Sequence, residues 1–125
     1  MLNNSVLMGR LTADPILRHT RTDNIPVISF SLAVDRQFSK GPEKETDFIN
    51  LVAWRGTAEF INKYFTKGQP MCVKGRLQQS KWTDAEGNNR SAVEVVAESV
   101  FFAGFKREDS DTDFDPDEYE YANAA

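Results

Sequence analysis

An all-β fold is predicted: a five-stranded Greek-key barrel carrying one short helix. Three observations predict it. Apolar and polar residues alternate at period two over several short runs. A single segment, between the third and fourth runs, has helical spacing instead. Gly, Pro, Asp and Asn cluster between the runs, where turns belong. The chain has 125 residues and is 40% apolar, enough for the core of one domain.

Ser5–Thr12 reads as the first strand, with Gly9 marking a bulge or a close backbone approach. Asp14-Pro15 ends it, because proline lacks an amide donor and restrains the residue before it. Thr20–Pro26 is polar and turn-like. Val27–Val34 alternates cleanly, with Ile28, Phe30, Leu32 and Val34 on one face and Ser29, Ser31 and Ala33 on the other. A charged loop follows, Asp35–Glu45, broken by Gly41-Pro42. Thr46–Trp54 is the third strand. Its faces are Ile49, Leu51, Ala53 and Phe48, Asn50, Val52, Trp54. Both are largely apolar, so one must be covered by more than water.

Gly56-Thr57 opens the helix with Thr57 as N-cap. Ala58, Ile61, Tyr64 and Phe65 recur at helical spacing, Gly68 is the expected C-terminal cap, and Pro70 follows. Met71–Gln79 is the fourth strand, with Val73, Gly75 and Leu77 alternating against Lys74, Arg76 and Gln78. Residues 84–89 turn a long hairpin into a fifth, valine-rich strand, Ser91–Phe102. The resulting order, three strands, a helix between strands 3 and 4, then two strands, is that of the OB-fold barrel. An all-β sandwich with a stray helix is the alternative. Residues 1–107 form the barrel domain. Residues 108–125, acidic and without helical or strand period, form a disordered tail.

The formal net charge of −4 hides a division. All 15 Lys and Arg lie in residues 1–107 with 11 acids, so the body is +4, while eight acids and no base make the tail −8. A basic body suits a polyanion. The single cysteine, Cys72, fits a reducing compartment. The N-terminus lacks a targeting pattern, and no apolar run could span a bilayer. A soluble cytoplasmic protein is expected, with no membrane partner.

An enzyme is disfavoured. One histidine, His19, and one cysteine cannot assemble a zinc or Cys–His site. No phosphate-binding glycine loop or nucleophile elbow is present. No catalytic residue, metal site or cofactor is expected.

Single-strand binding needs a basic track for phosphates and exposed aromatic faces for bases. Phe38 sits in a charged loop, Phe48 and Trp54 share a strand face, and Trp82 stands beside Lys81 on a polar hairpin arm. These four are the stacking candidates. Phe30, Phe60, Tyr64 and Phe65 are assigned to the core. Arg10, Arg18, Arg21, Arg36, Arg55, Lys67, Lys74, Arg76 and Lys81 are the phosphate candidates. Lys74 and Arg76 form a pair on one strand face.

The segment Gly9-Arg10-Leu11-Thr12-Ala13-Asp14-Pro15-Ile16-Leu17-Arg18 resembles the opening signature of bacterial single-stranded DNA-binding proteins. So does Lys81-Trp82-Thr83-Asp84 followed by Gly87, Arg90 and Glu94-Val95-Val96. The third strand, the Ala58–Phe65 helix and Lys67-Gly68 agree, and the likeness covers about residues 4–104. It implies a homotetramer that binds and protects single-stranded DNA in replication, recombination and repair, associated with the nucleoid. It also places Phe38, Phe48, Trp54 and Trp82 at the family's stacking positions, with Phe replacing a common Trp at the first two.

The tail departs from the pattern, with almost no linker and no final Ile-Pro-Phe. A phage or mobile-element version, or an incomplete chain, would depart in this way. Recruitment of replication and repair proteins through the tail is correspondingly in question. A barrel used as a protein-interaction module is the competing reading.

Overall fold

The computed structural model describes residues 1–104 except 39, 40, 42 and 44. The strands are β1 (Ser5–Leu11), β2 (Arg18–His19), β3 (Pro26–Asp35), β4 (Thr46–Trp54), β5 (Pro70–Thr83) and β6 (Asn89–Phe102). One helix, α1 (Arg55–Tyr64), lies between β4 and β5. At 10 residues it is not long and apolar enough to cross a membrane.

The sheet order is β1-β5-β6-β4-β3-β2, and β1 also pairs with β3, which closes the barrel. All pairings are antiparallel except β4 with β6. The OB-fold expectation therefore holds, with the helix where the order of runs put it. The two-residue β2, paired at Arg18–Val27 and His19–Pro26, was not anticipated.

The alternation predicted for β3 is realised. Ile28, Phe30 and Leu32 are buried, joined inside the barrel by Leu51 and Ala53 of β4, Met71 and Val73 of β5, and Val95, Ala97 and Val100 of β6. Helix α1 closes one end. Ala58, Phe60 and Ile61 are buried, and Phe60, Phe65 and Phe102 stack edge or face against one another. Tyr64, assigned to the core, is only partly buried and packs against Phe60 and Phe102.

Both helix ends differ from expectation. Trp54 is the N-cap residue in extended conformation, with no side-chain cap, so Thr57 lies inside the first turn. The helix stops at Phe65, also extended, whose N–H still reaches the Ile61 carbonyl. Gly68 serves the following turn instead. Its φ is +84°, which favours glycine, and its N–H donates to Leu11 O at 2.7 Å.

The last hairpin is longer than its apolar pattern suggested. The β5–β6 ladder runs from Met71–Phe102 to Thr83–Asn89, with a register shift between Lys74 and Gly75. Past the barrel rim Leu77 and Val93 are exposed. The turn at its tip is organised by Asp84. That carboxylate accepts from the N–H groups of Glu86 and Asn88 and from Arg90 Nε. The Arg90 hydrogen bond, with backbone N–H bonds behind it, lowers the Asp84 pKa from its ordinary value.

A folded-state pKa below the unfolded one means that the stabilisation is complete above about pH 4 and is lost as pH falls through the lowered value. The protection of the Glu86 and Asn88 amides, taken as the ratio of intrinsic to observed exchange rate, should therefore fall on acidification below the ordinary carboxylate range, and Asp84→Asn should abolish that dependence. Hydrogen-exchange NMR checks both.

Candidate nucleic-acid interface

The outer face of the sheet is set by register. Ala33 pairs with both Arg10 and Phe48, so Arg10, Ala33 and Phe48 form one line across β1, β3 and β4. Two residues further along β4 and β3 come Asn50 and Ser31, then Val52 and Ser29, then Trp54 and Val27. Val52 is also level with Val96, and Val96 with Arg76, which carries the face onto β6 and β5. Small side chains from β3 leave Phe48, Asn50 and Trp54 of β4 exposed, whereas Val52 and Val96 between them are buried at 6% exposure each. A groove beside this face is lined by Ser29, Ser31, Asn50 and Glu94. A second groove runs to the β1–β2 loop between Ile16, Arg18 and Val27.

Among the described residues four large aromatic rings project into solvent. Phe38 is 84% exposed, Phe48 68%, Trp82 49% and Trp54 42%. Neighbouring alternation puts Phe48 and Trp54 on the same face, as the strand pattern required. It also answers why β4 is apolar on both sides: Leu51 and Ala53 face the core, whereas Phe48 and Trp54 face water. Trp82 sits opposite Arg90 near the hairpin tip. There a hollow is lined by Gln79, Lys81, Trp82, Thr83, Asn89 and Arg90.

Arg55, next to Trp54, has φ +57°. A non-glycine residue held in the left-handed region is strained, and such strain gathers at functional sites. This conformation turns the chain from β4 directly into α1, so Trp54 ends its strand still extended and still on the outer face.

The nine basic candidates divide by what already engages them. All are exposed. Arg10 Nη1 donates to the Gly68 carbonyl at 3.2 Å, and Arg76 lies 3.5 Å from Glu98. Arg36 is held most firmly. Its Nε and Nη2 fork onto Asp47, and Nη1 donates to Glu45 Oε2 at 2.6 Å. The Asp47 hydrogen bond raises the Arg36 pKa, and the Arg36 hydrogen bond lowers that of Asp47. Lys74 and Arg76 both point outward on β5, with the register shift between Lys74 and Gly75 adding twist. Lys67 follows α1, its N–H bound to Asp14 Oδ1. Lys81 flanks Trp82, and Arg18 and Arg21 belong to β2 and the turn after it. Ile16, 66% exposed beside Arg18, was not singled out from sequence, because an isolated apolar residue in a loop carries no periodic signal.

Among the described residues no group of three His, Cys, Asp or Glu is placed to hold a metal ion.

Comparison with known proteins gives a consistent result. Residues 2–103 match the model of the single-strand binding protein family. The chain is 45% identical over 103 residues to a single-stranded DNA-binding protein of Caldanaerobacter subterraneus subsp. tengcongensis, covering 82% of this chain and 68% of that one. It is 44% identical over 110 residues to single-stranded DNA-binding protein 1 of Staphylococcus aureus, covering 87% and 70%. Over 101 residues it is 45% identical to single-stranded DNA-binding protein 3 of Clostridium acetobutylicum, covering 81% and 70%.

Proposed function

The chain belongs to the single-strand binding protein family, and from that premise we propose that it binds and protects single-stranded DNA without sequence preference and without chemistry. The exposure of Phe38, Phe48, Trp54 and Trp82 beside basic side chains carries this reading. Every base has a π-face, so stacking on these rings tolerates any sequence. Phosphates are neutralised along the same path by Arg10, Arg18, Arg21, Arg55, Lys67, Lys74, Arg76 and Lys81. Stacking on the protein occupies the π-faces that bases would place against their neighbours in a duplex, and bound phosphates follow the protein surface rather than a second strand, so the bound strand stays open for replication, recombination and repair. The setting is the cytoplasm, at the nucleoid.

A homotetramer is part of the proposal. Strand β1 meets β5 along one edge, but it meets β3 only at Arg10 and Leu11, so among the described residues its other edge is unpaired from Ser5 to Gly9. Val6 and Met8 on that strand are exposed. An open edge with apolar side chains favours pairing with another copy. The tail, which lies outside the described residues, carries a charge of −8 and would compete with DNA for the basic face. Recruitment of replication and repair proteins is its second proposed role.

The test is a fluorescence titration with oligo-dT at several salt concentrations, with duplex DNA as control. Tryptophan quenching, preference for the single strand, and a slope of log K against log salt of about −0.7 per neutralised phosphate are expected. Failure of the chain to bind at low salt would overturn the reading.

A further inference from the structure

We propose that Arg36 is a positioning residue, a latch across the mouth of the β3–β4 loop that holds Phe38 where a base can stack, with its own charge spent on Asp47 and Glu45. The inference rests on the stacking role proposed for Phe38.

The latch is built from both sides of the loop mouth. Arg36 Nε donates to Asp47 Oδ2 at 3.1 Å and Nη2 to Asp47 Oδ1 at 2.9 Å, a two-point fork that only a planar guanidinium can make. Nη1 reaches Glu45 at the same time. The backbone repeats the closure, Arg36 N–H to Glu45 O at 2.8 Å, and Thr46 Oγ1 donates to Asp35 Oδ1 one step inward. The chain therefore leaves the sheet at Arg36 and re-enters it at Glu45 with these two residues held together.

Charge argues against a phosphate role. Two carboxylates face one guanidinium, so the cluster carries a net charge of −1, and an approaching phosphate meets repulsion. Arg76 differs, since it faces a single carboxylate at 3.5 Å. For Lys74 and Lys81 no ion pair occurs among the described residues. These remain able to meet phosphate, whereas Arg36 is engaged before DNA arrives.

Phe38 needs such a support. At 84% exposure, packing does little to orient its ring. It lies two residues beyond the latch, at most about 7 Å of extended chain. Fixing Arg36 limits where the ring can go, so less order has to be gained on binding.

Oligo-dT titrations over a range of salt separate the two roles. The set is the native chain, Arg36→Met, Phe38→Ala, both together, and the exchanged pair Arg36→Asp with Asp47→Arg, each checked for folding by thermal unfolding. Arg36→Met should weaken binding roughly 3- to 10-fold, a fraction of what a lost stacked base costs. The salt slope should stay unchanged. In the Phe38→Ala background the same substitution should add nothing, and the exchanged pair should recover most of the affinity.

A slope reduced by about 0.7, with penalties that multiply, would make Arg36 a phosphate ligand and overturn the proposal. So would unchanged affinity in Arg36→Met, or a Phe38→Ala chain that binds like the native one. If the native chain itself does not bind, it is the single-strand reading that fails.

Discussion

Trp54→Ala and Trp82→Ala should each weaken oligo-dT binding by roughly 5- to 150-fold, the equivalent of about 1–3 kcal/mol per stacked base. Each should leave the unfolding transition nearly where it was. The argument is one of exposure. Trp54 is 42% exposed and Trp82 49%, so each ring keeps a large part of its surface in water in the free protein. Trp82 is furthest from the core, on a hairpin arm whose neighbours are polar, so its removal deletes little apolar burial. A core aromatic such as Phe65, at 1% exposure, would behave in the opposite way. Its truncation typically costs about 3–5 kcal/mol of stability.

The salt slope adds a second check. Neither tryptophan is charged, so the number of counterions released should not change and plots of log K against log salt should shift in parallel. A loss of stability without a loss of affinity would return the two rings to a packing role. Phe48, 68% exposed on the same β4 face as Trp54, should follow the same pattern with a smaller effect, because its ring offers less area to a base.

What could be read from the sequence follows the range of each signal. The β3 alternation is local, and Ile28, Phe30 and Leu32 went inward as it demanded. The doubly apolar β4 pattern announced that one of its faces must be covered by more than water, without saying which. Strand β2 was illegible, because two residues cannot show a period. Thr57 misled because α1 grows directly out of an extended Trp54 and a left-handed Arg55, so no side-chain cap is made. The outer half of the last hairpin was legible as a polar arm with a turn at residues 84–89, but its strand pairing was not. Lys81, Trp82 and Thr83 lack an apolar alternation and are held by backbone pairing to residues 89–91. The Arg36 partners lie nine and eleven residues away, Glu45 just before β4 and Asp47 within it. Charge patterning counted that arginine as one more base, and register alone showed it engaged.

Gly75→Ala should be the most destabilising small substitution in the barrel, and for a reason of the same non-local kind. Read along β5, Gly75 is merely an inward position between Val73 and Leu77. In the fold, a Cβ there would lie 2.0 Å from Val96 O and 2.9 Å from Val96 C. The obstacle is backbone, so no rotamer change relieves it. The contact arises because the register shifts between Lys74 and Gly75, bringing β6 against β5 at the point where the hairpin leaves the barrel.

Overpacking of this kind costs about 1–3 kcal/mol, and a backbone obstacle places Gly75→Ala at the upper end. For a domain of about 100 residues that lowers Tm by roughly 10–20 °C. Gly56 provides the control, since nothing lies within 4 Å of a Cβ added there and its φ is not positive. Gly56→Ala, at the start of α1, should raise stability by about 0.5–1 kcal/mol. Binding should separate the two as well. Relief of the clash has to move β5 against β6, and Trp82 rides on that ladder seven residues beyond the pivot, so Gly75→Ala should also weaken oligo-dT binding at temperatures where the chain is still folded. Gly56→Ala should not. Thermal unfolding and titration of both variants settle the matter: equal stabilities would mean that the β5–β6 crossing yields freely at Gly75, and the hairpin would then be a loosely hinged arm.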